Sequence, residues 1–179
     1  MEWLRGVIKI VQTLILSYVF LVVLTGVGNA QESLEIKHDE SGGTTTVTTK
    51  TQQLAGEPLN GVHLKLVGTY ESEAPTKITR IGVLIFSVGD KAGFEKNAEL
   101  ILRVNRAELR LGQMRREFVE DDSIRYMEGL YIDVSLEKLR MLASSSRVEG
   151  TVGTKRFVLR PIHQKAIKSF VEYFESCAK

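Results

Sequence analysis

Few residues in this sequence combine a reactive type with neighbours that would make them work. His38 stands beside Asp39 and Glu40, a trio able in principle to ligate a metal ion. Its polar surroundings offer no rigid frame to fix a coordination geometry, so a solvated segment is expected there. His63 alternates with Val62 and Leu64 on a strand pattern, and His163 falls in the first turn of a helical one. Both are expected at exposed or edge positions, outside any catalytic role. Cys177 is the single cysteine. It would need a base within hydrogen-bond reach to act as a nucleophile, and on one helix His163 lies roughly 21 Å away. A lone thiol near a helix end is expected, able at most to link two chains as a Cys177–Cys177 dimer in an oxidising compartment.

Ser135-Leu136-Glu137-Lys138 fits the S-x-x-K pattern of penicillin-recognising serine enzymes, but those need partner motifs that are missing. Gly153-Thr154-Lys155 has the wrong order for K-T-G. Ser135 therefore reads as a helix cap. Glu120-Asp121-Asp122 lacks the spacing of a calcium loop and reads as a solvated acidic turn. Arg103, Arg106, Arg110, Arg115 and Arg116 form a basic run whose charges are expected to be met by acids across a hairpin. With only Phe118 close by, they lack the interleaved aromatics that bind single-stranded nucleic acid. No cofactor or metal site is expected.

The most informative carboxylate is Glu128. It shares parity with Ile124, Tyr126, Leu130, Ile132 and Val134 on a long strand and is the one polar residue of that series. Burial would raise its pKa, so a small hydrolase using a carboxylate pair that includes Glu128 is one alternative. Against it stands a Glu128 paired with an arginine.

The elements that must position these groups are mostly strands. Val62, Leu64 and Leu66 alternate with polar residues, and residues 78–88 are apolar on both faces, as in a central strand. Residues 99–104 and 107–111 flank Asn105-Arg106, and 148–152 and 156–160 flank Gly153-Thr154, two hairpins. Residues 135–143 form a short helical pattern. From Pro161, a well-suited first helical residue, Ile162, Ala166, Ile167, Phe170, Val171 and Phe174 make one apolar stripe that must be buried. The fold class expected is mainly β, within α+β. It is an antiparallel β-sandwich or strongly bent sheet of about 7–8 strands, with one short internal helix and a C-terminal amphipathic helix packed on the sheet.

The N-terminus carries an address. Arg5 and Lys9 precede an uncharged stretch over residues 10–31, which ends in Gly28-Asn29-Ala30. That order marks a signal peptide over 1–30, with cleavage after Ala30. The alternative is an uncleaved helix anchoring the domain in a membrane, since the stretch is long enough to span one. A flexible leader is expected over 31–43 and a single β-rich domain over 44–179.

The whole chain has 179 residues, 24 basic against 22 acidic, for a net charge of +2. That balance gives no field arguing for nucleic acid, and one cysteine excludes an internal disulfide framework. The leading expectation is an exported, periplasmic or secreted, non-enzymatic module of the cell envelope or extracellular space, acting on a protein or small-molecule partner. Its expected contact surface is the sheet face left uncovered by the last helix, around Arg125, Tyr126 and Tyr131, with Glu128 on the same strand. Membrane contact is expected only through the N-terminal segment before cleavage.

Overall fold

The computed structural model describes residues 34–71, 77–121 and 125–177. The expected signal peptide and its cut after Ala30 lie outside the described residues. Among these residues the elements run β1 (Glu35–Asp39), β2 (Thr44–Thr48), β3 (Gln52–Glu57), β4 (Asn60–Glu71), β5 (Lys77–Gly89), β6 (Glu99–Val104), β7 (Ala107–Gln113), β8 (Arg115–Asp121), β9 (Tyr126–Asp133), α1 (Leu136–Ser144), β10 (Val148–Val152), β11 (Lys155–Leu159) and α2 (Pro161–Cys177). All strand pairs are antiparallel. The larger sheet has the order β1-β2-β4-β5-β9-β8, with β3 also on β4, and the smaller has β11-β10-β6-β7.

Alternation explains the layers. Leu64 pairs with Ile85 and Ile85 with Leu130, while Leu66 pairs with Val83. These side chains are buried in one cluster with Leu100, Leu102, Val148, Val152 and Phe157 of the smaller sheet. The two sheets thus share a core in a sandwich-like packing, as the sequence pattern requires. The Asn105-Arg106 hairpin is present, with φ of 49° and 79° at its two central residues, the signature of a primed two-residue turn. Asn105 also accepts hydrogen bonds from Ser146 Oγ and the Arg147 backbone, tying the turn to the start of β10.

The C-terminal helix covers the rest of the inner face. Phe170 and Phe174 of α2 lie directly on Gly68 of β4, where an added Cβ would fall 2.3 Å from the Phe174 ring. Tyr70 meets Phe174 edge to face at 6.3 Å, and its hydroxyl lies 3.0 Å from that of Tyr173. Ser135 caps α1, accepting the Lys138 N–H at 3.3 Å. In this chain the S-x-x-K serine is occupied in starting a helix.

Two segments depart from the sequence reading. Glu35–Asp39, expected within a leader over 31–43, pairs along its length with β2 as an edge strand. Its residues are mostly exposed, so it needs no apolar alternation. Polar cross-strand contacts hold it instead, with His38 Nδ1 2.8 Å from Thr45 Oγ1 and Lys65 3.5 Å from Glu35. Ser41 closes the turn through two hydrogen bonds to Asp39. Gln52–Glu57, which has no apolar period, is likewise a strand, β3.

Phe174→Ala should destabilise the fold by about 3–5 kcal/mol, read as a lower urea midpoint with unchanged m. Gly68→Val should cost at least as much, because its side chain takes the place of the Phe174 ring.

Candidate functional site

Glu128 occupies the place its parity requires, on the inner face of β9, and is fully buried. It is fixed by its own chain on both oxygens. Oε1 accepts the backbone N–H of Gly93 at 2.5 Å and of Phe94 at 2.7 Å. Oε2 lies 3.1 Å from Arg116 Nη2, a charge contact without hydrogen-bond alignment. The two amides belong to the 90–98 connection, which carries the chain from the larger sheet to the smaller one. Phe94, held by the second amide, enters the core cluster. The carboxylate therefore anchors a crossing between layers, in the manner of a buried charge compensated by donors.

Arg115 and Arg116 show how a strand serves two faces at once. Arg116 pairs with Leu130 and reaches Glu128 on the inner face. Arg115 pairs with Tyr131 on the outer face, its guanidinium 4.7 Å from the ring centre. Arg80 covers the same ring at 3.7 Å. Around it, Arg80 and Arg115 contact Glu117 and Asp133 at 3.3–3.8 Å, and the tyrosine hydroxyl donates to Asp133 at 3.0 Å. Burial and the adjacent Asp133 carboxylate hold the phenol protonated well above its usual range. The result is a tyrosine clamped between two arginines under a network of exposed charges.

The expected contact residues do not share one surface. Tyr131 is on the outer face. Tyr126, five residues earlier and so of opposite parity, follows Glu128 onto the inner side and is half-buried. Arg125 directly precedes β9. A period of two puts Tyr126 and Tyr131 on opposite faces, which corrects the expectation of one shared surface and is legible from their spacing.

The histidines also move from their expected positions. His63 is buried against Phe86, ring centres 5.0 Å apart and nearly parallel, and neither ring nitrogen has a hydrogen-bond partner among the described residues. His163 is fully buried. Its Nδ1 accepts the Arg160 N–H at 3.0 Å, so the proton sits on Nε2, which donates to the Gln53 carbonyl at 3.0 Å. Arg160 Nη2 donates to that carbonyl too. His163 thus clips β3, at its bulge, to the junction of β11 and α2. Burial lowers the pKa of both rings, helped at His163 by the nearby Arg160 charge. Cys177 closes α2 and His163 opens it, so the two stand at opposite ends of one helix.

The acidic run divides as well. Glu120 and Asp121 belong to β8, and Asp122 lies outside the described residues. Arg110 meets Glu108 at 2.8 Å, an acid on its own strand, and Glu99 across the hairpin at 3.9 Å. Sequence reasoning missed Arg116, Gly93 and Phe94 as partners of Glu128. The basic pair beside a strand carrying a lone buried acid was the available signal for Arg116. No family model, curated protein or solved structure matches the chain.

Glu128→Ala should cost about 3–5 kcal/mol, because two amides lose their acceptor and a guanidinium its counter-charge together. Glu128→Gln, which keeps one oxygen for the amides, should cost about half as much or less in the same denaturation assay. Both histidines have folded pKa values below the ordinary 6.5, so the unfolded chain takes up their protons first. Stability should be fully present above about pH 7 and fall as pH drops through 6.5 toward their folded values. His63→Leu should flatten part of that acid slope without loss of stability at pH 7.5, measured by thermal melts across pH.

Proposed function

We propose that this chain is an exported, non-enzymatic binding module of the cell envelope or extracellular space. The observation that carries the reading is the state of Glu128. The carboxylate best placed for chemistry has its oxygens taken up by two backbone amides and Arg116, and so serves the fold. A carboxylate-pair hydrolase built on Glu128 has correspondingly less support. The partner-contact surface in this reading is the outer face of the larger sheet, where Arg80, Arg115, Glu117 and Asp133 surround Tyr131. Fixed charges around a rigid aromatic suit recognition of a polar protein surface, giving specificity and on-rate more than raw affinity.

Export rests on the basic, apolar, small-residue order of the first thirty residues. The uncharged stretch over 10–31 also favours a second reading, in which the segment is retained and tethers the domain outside the cytoplasm. Among the described residues no helix is long and apolar enough to cross a membrane.

Purified protein assayed against ester, peptide and glycoside panels should give no turnover above the blank. Turnover abolished by Glu128→Gln in a variant that remains folded would overturn the module in favour of the hydrolase. N-terminal sequencing of protein from soluble extracytoplasmic and membrane fractions should find a chain beginning at Gln31. An intact Met1 in the membrane fraction would support the tethered form, and an intact chain in the cytosol would refute export.

A further inference from the structure

Two buried imidazoles converge on one residue of β3. Gln53 is the register partner of His63 on β4, and its carbonyl accepts from both His163 Nε2 and Arg160 Nη2. The surroundings of His163 suit a neutral ring. Nδ1 accepts the Arg160 N–H at 3.0 Å, so a proton added there would point at another proton. The ring also lies in the first turn of α2, whose dipole opposes a positive charge, beside the Arg160 guanidinium. His63 is 3% exposed and stacked on Phe86, with no hydrogen-bond partner for a charged ring among the described residues. Burial, joined at His163 by the Arg160 charge, outweighs the Gln53, Val158 and Pro58 carbonyls that favour protonation. Arg160 is the charged group against the rings. Glu57 of β3, Lys155 and Arg156 of β11 and Lys165 of α2 are exposed. Lys65, two residues beyond His63 on the same strand, is held by Glu35.

Little else holds β3. It lies off the main path of the larger sheet, its pairing with β4 is interrupted by a bulge, and of its six residues only Leu54 is buried. Segments with so few buried apolar contacts are the first to open. We propose that β3 is an acid-released strand: protonation of His63 and His163 detaches Gln52–Glu57 from β4 while the rest of the sandwich stays folded. A charged imidazole at either place leaves for water, and the ring of His163 takes the Gln53 clip with it. Detachment opens the backbone edge of β4 over Asn60–Leu64 and uncovers Leu54. The open form binds more protons than the closed one, so it gains population as pH falls below about 6.5 and is disfavoured above about 7. The device does not depend on what the outer face of the larger sheet binds.

Native-state hydrogen exchange of the full chain, corrected for intrinsic rates, tests this at pH 7.5 and 5.5. Amides bonded between β3 and β4 should lose at least about tenfold in protection at the lower pH, since each histidine favours opening about tenfold per pH unit between 6.5 and its folded pKa. At both pH values they should remain less protected than the Leu130 amide of β9, which reports global unfolding. His63→Leu combined with His163→Gln should keep β3 closed at pH 5.5, because the glutamine amide gives and takes the same two hydrogen bonds without titrating. Three results would overturn the proposal: β3 protection unchanged by acid, β3 protection equal to that of Leu130, or a double variant that still loses β3 in acid. If the double variant does not fold, the wild-type rings decide. Their titration, read from the ring nitrogens, should share its midpoint with the loss of β3 protection, and separate midpoints would refute the coupling.

Discussion

A fully buried carboxylate with two backbone amides on one oxygen and a guanidinium beside the other is the constraint on which the crossing between the sheets depends. An unpaired charge at that depth would be severely unfavourable. The donors must therefore come to Glu128, and the 90–98 connection is the segment that brings them. Once it does so, Phe94 is delivered into the core and Gly93 is pressed over Ser87. The same interaction thus sets the path of the connection between the sheets.

The two faces of β9 divide the labour. On the inner face, Leu130 joins the shared core and Glu128 ties down the crossing. On the outer face, Tyr131 supports a lattice of arginines and acids that remains in contact with water. Consecutive arginines on the neighbouring strand feed both, because successive side chains of a strand point to opposite sides. A partner meeting the outer face encounters charges already held by one another, an arrangement that discriminates between partners by complementarity.

Much of this architecture was legible in the sequence. Val62, Leu64 and Leu66 announced a half-buried strand, the stripe from Ile162 to Phe174 announced a helix needing a sheet, and Ser135 announced a cap. Glu128 stood out because a lone acid on an apolar parity must find compensation. What could not be read was where that compensation comes from. Arg116 reaches it through strand pairing, and Gly93 and Phe94 through a connection whose path is set by long-range packing. β1 carries no apolar period because polar pairs hold it at the sheet edge, and β3 carries none because its apolar residues, Leu54 and Ala55, are adjacent rather than alternating. The burial of His63 and His163 was hidden for a related reason. Each is covered by tertiary contacts, a Phe86 ring in one case and the Gln53 carbonyl in the other.

If Glu128 is an anchor, the two amides that it accepts must be among the slowest to open in the 90–98 connection. Native-state hydrogen exchange read at Gly93 and Phe94 measures this directly. Protection approaching that of the Leu130 amide, lost selectively at these two sites in Glu128→Ala, is the predicted result. Exchange at the rate of an exposed loop in the wild-type chain would contradict it, and would return Glu128 to the set of carboxylates free for chemistry.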